Sequence, residues 1–136
     1  MTHFELKPIG RVESPLTDRN AAPKQGFEGA PRTSLVMQHE FAAGLKDLKP
    51  GEALLVLTWL DRADRGVLQT RPRDDPDNPM TGVFSTRSPD RPNPIGLHRV
   101  RVVAIFGERI EVDDLEALDG TPIVDLKPVL EQAWER

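Results

Sequence analysis

Ala53-Leu-Leu-Val-Leu-Thr-Trp-Leu60 is the longest apolar run in the chain. It falls far short of the roughly 18 apolar residues that make a bilayer-spanning helix. It reads instead as a strand, apolar on both faces and buried at the centre of a sheet. Downstream of Gly96, Val100 and Val102 alternate with Arg99 and Arg101, the pattern of a strand with one wet face. Phe106-Gly-Glu-Arg-Ile110 reads as a hairpin turn into a strand over 110–112, and Asp119-Gly120 as a second turn before a strand over 121–124. Upstream, Phe4, Leu6 and Ile9 to Val12 suggest an opening strand and Ser34 to Gln38 another. Helix is scarce, with Glu40 to Leu48 and Val129 to Trp134 as the stretches that fit it. Short strands with proline- and glycine-rich connections favour a closed or nearly closed sheet, which removes exposed edges. The expectation is a mainly β fold: a small β-barrel with one or two short helices. The chain has 136 residues, enough for a single core, so residues 1–136 are expected to form one domain.

Composition removes several chemistries. There is no cysteine, which excludes thiolate nucleophiles, disulfide scaffolds and cysteine-held metal clusters. His3, His39 and His98 show no metal-ligand spacing, so no metal is expected. No two of the ten glycines stand as Gly-x-Gly, which excludes the usual dinucleotide fingerprint and P-loop. The start, Met1 to Lys7, lacks the layout of a signal peptide, and a cytoplasmic protein with no membrane contact is expected. Net charge is −4, yet it is unevenly spread. Arg62, Arg65, Arg71, Arg73, Arg87, Arg91, Arg99 and Arg101 fall in the middle third, and arginine suits bidentate phosphate contacts. This is a modest pointer to RNA; a solvated face partly neutralised by Asp74, Asp75 and Asp77 explains it as well. The stretch Thr70 to Met80, rich in Pro, Asp and Arg, reads as a mobile surface loop.

Gly82 to Val100 reads as a site. Pro89, Pro92 and Pro94 each fix φ, give up an amide donor and push the preceding residue out of the helical region. Arg87, Ser88, Asp90, Arg91 and Asn93 stand among them, and Gly96 permits a close backbone approach. A polar loop stiffened this heavily commonly presents side chains to a ligand.

Within it, Phe84-Ser-Thr-Arg-Ser-Pro-Asp-Arg-Pro-Asn-Pro-Ile-Gly96 resembles the signature of the TrmO (TsaA-like) family of S-adenosylmethionine-dependent tRNA methyltransferases. Pro8-Ile-Gly-Arg-Val-Glu-Ser-Pro15, Pro23-Lys-Gln25 and Leu118-Asp-Gly-Thr-Pro-Ile-Val-Asp-Leu-Lys-Pro128 repeat the resemblance in order, from about Phe4 to Pro128. The resemblance implies a β-barrel, S-adenosylmethionine as cofactor, a homodimer, and methylation of N6 of threonylcarbamoyladenosine at position 37 of a tRNA anticodon loop. It places cofactor contacts at Pro23, Lys24, Gln25, Leu60, Asp61, Arg87, Leu97, Leu118, Asp119, Gly120 and Thr121. Taken singly, Leu60, Leu97 and Leu118 read equally well as core, Asp119-Gly120-Thr121 as a turn and Asp61 as a surface charge. A carboxylate, a histidine or water could take the acceptor proton, and Asp125, His98 and Lys127 are the residues to test for catalysis. Lys127 also suits a phosphate or the threonyl carboxylate. Arg87, Arg91, Arg99 and Arg101 are expected on anticodon-loop phosphates. The other readings are a methyltransferase on a different acceptor, and a non-catalytic module that binds S-adenosylmethionine or RNA.

Overall fold

A computed structural model describes residues 2–16 and 32–130. Its elements are strands β1 (Gly10–Glu13), β2 (Thr33–Met37), β3 (Ala53–Trp59), β4 (Gln69–Thr70), β5 (Thr81–Gly82), β6 (Ile95–Phe106), β7 (Arg109–Asp113) and β8 (Pro122–Pro128), with three short 3-10 helices. The fold is mainly β. Six strands pair antiparallel in the order β1, β2, β7, β6, β3, β8, and β8 pairs back to β1, so the sheet closes into a barrel. The short β4 and β5 pair only with each other.

Alternation decides what lies inside. In β3 the buried positions are Leu54, Val56 and Thr58, and in β6 they are Gly96, His98, Val100 and Val102. Of these, Leu54, Val56, Val100 and Val102 meet Val12, Leu35, Ile110, Val112 and Ile123 in one apolar core. Each buried aliphatic side chain contributes about 1.5–3 kcal/mol relative to exposure. β3 lies between β6 and β8, and in a closed sheet no strand is more central than another. Its second face is only half covered, however: Leu55, Leu57 and Trp59 point outward and remain partly exposed. The β6–β7 hairpin turns on Gly107-Glu108 with Gly107 at φ 63°, the left-handed value that a tight hairpin needs at its first central residue and that glycine adopts without strain.

Some expectations change. The opening strand begins only at Gly10, and Phe4, 85% exposed, lies outside it. The stretch Glu40 to Leu48 forms a 3-10 helix, His39–Leu45, with no buried residue. It lacks an apolar stripe long enough to dock an α-helix. Val129 to Trp134 falls mostly outside the described residues. The stretch Thr70 to Met80, expected as a mobile surface loop, is a mostly exposed connection: Thr70 closes β4 and residues 71–80 lead to β5. Arg71 Nη1 donates to the Asn78 carbonyl at 2.7 Å and Asn78 Nδ2 to the Pro72 carbonyl at 2.8 Å. Among the described residues no helix is long and apolar enough to cross a membrane.

Candidate functional site

The proline-rich loop that leads into β6 is held by its own polar side chains. Thr86 Oγ1 donates to the Val83 carbonyl at 2.9 Å and accepts from Ser88 N–H at 3.2 Å; Ser88 Oγ accepts from Asp90 N–H at 3.3 Å; Asp90 Oδ1 accepts from Asp64 N–H at 2.9 Å. Such side-chain-to-backbone bonds replace the ladder that prolines deny. Arg65 fastens the far end, donating to the Pro92 carbonyl at 2.7 Å and to Asn93 Oδ1 at 3.2 Å, with its guanidinium 5.0 Å over the Trp59 ring. Leu60 N–H then donates to the Pro94 carbonyl at 2.8 Å, welding the end of β3 to the start of β6.

This wall bounds a cavity of about 810 Å³. Three other segments complete it: Leu60 to Ala63 after β3, Arg71 to Asp74 on the β4–β5 connection, and Glu116, Ala117, Leu118 and Thr121 before β8. The size suits a ligand of drug or cofactor dimensions. Leu60, Ile95, Leu97 and Leu118 give it apolar walls, and five arginines and four carboxylates line the remainder with His98.

Most of the expected cofactor residues converge here: Leu60, Asp61, Arg87, Leu97, Leu118 and Thr121 all line the cavity. Asp119 and Gly120 do not. Asp119 Oδ1 accepts from Ser14 N–H at 3.0 Å, and Gly120 N–H donates to the Val12 carbonyl at 2.7 Å, so this turn anchors the segment after β1. Pro23, Lys24 and Gln25 lie outside the described residues. Arg87 and Asp61 are exposed and have no polar partner among the described residues, which leaves one cation and one anion free at the cavity.

The expected arginines divide by what they hold. Arg91 folds inward: Nη2 donates to the carbonyls of Val83 and Thr86, the latter at 2.6 Å. Its Nε is buried without a partner among the described residues. Arg91 is therefore a clamp on the loop rather than a surface cation. Arg101 Nη1 donates to the Gly51 carbonyl at 2.7 Å at the start of β3. Arg99 points outward from β6 with no partner among the described residues.

The three residues expected in catalysis do not meet. Asp125 and Lys127 form a half-exposed ion pair at 3.2 Å on β8. Asp125 and Leu97 both pair with Leu57 of β3, so Asp125 sits two strand spacings, about 10 Å, from the cavity wall at Leu97. His98 does line the cavity, but its ring is 4% exposed and both nitrogens are engaged. Nδ1 bonds Glu116 Oε1 at 2.6 Å and Nε2 bonds Thr58 Oγ1 at 2.7 Å. With Glu116 ionised, the network puts the proton on Nδ1 and leaves Nε2 to accept from the Thr58 hydroxyl. Neither nitrogen is left to act on a ligand.

The residues that sequence reading missed are Glu116, Thr58 and the Arg71 to Asp74 segment. Glu116 stands between buried Leu115 and Ala117, but its sequence neighbourhood is acidic and gives no sign that it faces a cavity. Among the described residues no cluster of His, Asp or Glu is arranged to hold a metal ion.

Comparison with known proteins agrees with this geometry. The family model of the tRNA-methyltransferase O N-terminal domain matches residues 11–134. An S-adenosyl-L-methionine-binding protein of Archaeoglobus fulgidus is 41% identical over 122 residues, covering 90% of this chain and 86% of its own length. A probable S-adenosyl-L-methionine-binding protein of the same organism is 43% identical over 128 residues, covering 94% of this chain but 34% of the longer protein. The crystal structure of TrmO from Pseudomonas aeruginosa superposes with a TM-score of 0.75 at 28% identity, over 100% of this chain and 62% of that one. This chain thus spans about a third of one relative and under two thirds of the solved structure.

Proposed function

The chain belongs to the tRNA-methyltransferase O family, and we propose that it transfers a methyl group from S-adenosylmethionine to N6 of threonylcarbamoyladenosine at position 37 of a tRNA anticodon loop. The observation that carries the reading is the one cavity that Leu60, Arg87, Leu97, Leu118 and Thr121, from separate parts of the chain, line together.

The donor set fits that cofactor. A free guanidinium at Arg87 suits its carboxylate, the free carboxylate of Asp61 suits its ammonium or ribose hydroxyls, and Leu60, Leu97 and Leu118 suit the adenine faces. When bound, S-adenosylmethionine supplies an already activated methyl group, so the protein has mainly to orient and desolvate. Positioning alone can contribute about 7–11 kcal/mol in favourable cases. The prestitched loop provides that positioning, and the Arg71 to Asp74 segment over the cavity excludes water.

On the RNA side, Arg99 and Lys127 share one row across the outer sheet, both pairing with Leu55. We assign them, with Arg87, to phosphates of a splayed loop. The same outer face carries Ile95 and Leu97, 43% and 46% exposed, beside Leu57 and Trp59. An apolar face continuous with the cavity wall supports a homodimer that brings a second copy to the site. A tRNA substrate implies a cytoplasmic enzyme.

Nucleoside mass spectrometry tests the reading. Purified protein and S-adenosylmethionine are incubated with tRNA that carries threonylcarbamoyladenosine and with tRNA that lacks it. Methylated threonylcarbamoyladenosine in the first sample alone is expected. Cofactor binding without product would move the reading to another acceptor or to a binding module, and a monomer in light scattering would remove the dimer.

A further inference from the structure

The acceptor nitrogen carries a proton that must leave as the new bond to carbon forms, and none of Asp125, Lys127 and His98 is free at the cavity to receive it. Asp125 and Lys127 are paired with each other on the outer sheet. His98 has both nitrogens committed. Thr58 is fully buried. Glu116 differs from all of these. Its side chain is 18% exposed, it lines the cavity, and Oε1 is fixed by His98 Nδ1 while Oε2 has no partner among the described residues. Asp61, which also lines the cavity and has no partner among the described residues, is exposed and unheld.

We propose that Glu116 is the general base of the transfer, and that His98 and Thr58 are positioning residues that hold its carboxylate in place. The inference rests on the methyl-transfer reading above. The acceptor nitrogen gives its lone pair to the methyl carbon, the carbon–sulfur electron pair returns to sulfur, and the N–H proton passes to Glu116 Oε2. Glu116 then releases that proton to solvent through the cavity mouth. Throughout, the Nδ1–H to Oε1 bond stays made, so the carboxylate does not swing away. Gly96 guards the arrangement: a β-carbon there would stand 2.4 Å from Thr58 Oγ1 and 2.6 Å from His98 Nε2.

The test uses E116Q, which keeps the side-chain shape and an acceptor oxygen for His98 but cannot take a proton. S-adenosylhomocysteine binding is measured by calorimetry, single-turnover methyl transfer to threonylcarbamoyladenosine-bearing tRNA by mass spectrometry, and the His98 ring N–H by nitrogen-15 NMR of the unliganded protein. The expected result is affinity within about threefold of the unsubstituted protein, a transfer rate down about 100-fold or more, and a displaced Nδ1–H resonance. H98N, which loosens the carboxylate without removing it, should lower the rate about tenfold at nearly constant affinity, a split that general unfolding would not give. Transfer by E116Q within threefold of the unsubstituted protein overturns the assignment. So does a parallel loss of affinity and rate, which would make Glu116 a cofactor ligand. If the unsubstituted protein binds S-adenosylhomocysteine yet methylates nothing, the transfer reading falls and this assignment with it.

Discussion

Gly96→Ala is the sharpest probe of the packing beneath the site. The new methyl would lie 2.4 Å from Thr58 Oγ1 and 2.6 Å from His98 Nε2, well inside any real contact for a β-carbon. Neither neighbour can withdraw cheaply, because Thr58 is fully buried and His98 is 5% exposed. The strain of overpacking costs about 1–3 kcal/mol. Parting the Thr58–His98 bond and leaving its ends unsatisfied costs about 1–3 kcal/mol more. The lower entropy of alanine in the unfolded chain returns at most about 1 kcal/mol. The net, about 1–6 kcal/mol, is a sizeable part of a domain's usual 5–15 kcal/mol. At about 3–4 °C per kcal/mol for a chain of this size, Tm should fall by about 3–24 °C. Scanning calorimetry reads it, with Gly82→Ala as control: Gly82 has φ −59° and open space where its β-carbon would go, so that variant should melt within about 2 °C of the parent. A Gly96→Ala protein that melts with the control would refute the close packing around the relay.

Four further outcomes follow from the same geometry. Arg87→Ala should weaken S-adenosylhomocysteine binding by about 10- to 100-fold, the value of a hydrogen bond to a charged group. Its Tm should barely move because the side chain is exposed; calorimetric titration checks both. Arg91→Lys cannot span the carbonyls of Val83 and Thr86 and should lower Tm by about 5–10 °C while the salt slope of tRNA binding stays unchanged. Arg99→Ala should reduce that slope by about 0.7, and Arg101→Ala should leave it alone; filter binding across a salt series separates the two. His39 is held above its ordinary value of 6.5 chiefly by its hydrogen bond to Glu108 and then by that charge. Its contribution to stability is therefore complete below pH 6.5 and is lost as pH rises through the raised folded value. An NMR titration should show the His39 midpoint returning toward 6.5 in E108Q.

The strands were legible wherever one face alone is buried. Arg99 and Arg101 alternating with Val100 and Val102 marked β6 plainly, and Gly107 marked its hairpin. The true start of β6 at Ile95 was hidden, because Pro92 and Pro94 read as loop and the weld between Leu60 and Pro94 involves two backbones far apart in sequence. The cavity residues Leu60, Asp61, Arg87 and Leu97 were reachable through resemblance, since the motif travels with the pocket. The relay was not. Thr58 meets His98 only because the register sets Thr58 opposite Gly96, and no local pattern encodes a pairing of that kind. The clamp made by Arg91 was hidden for a related reason: an arginine among prolines looks solvated until the carbonyls it holds are known. The β8 register that places Asp125 and Lys127 on the outer sheet was hidden in the same way.

The contrast between the stitched loop and the β4–β5 hairpin has a kinetic consequence. One wall of the cavity is fixed by a chain of bonds from Val83 to Asn93, so little rearrangement there can gate a ligand. The Arg71 to Asp74 part of its lining lies instead on a two-stranded piece whose strands pair only with each other, and such pieces are marginal on their own. Opening should therefore cost less free energy at the hairpin than anywhere in the barrel, and amide exchange over 69–82 should outpace that of β3 and β6. Entry and escape would then share one door, so that stiffening the hairpin slows association and dissociation together and leaves the equilibrium affinity nearly untouched.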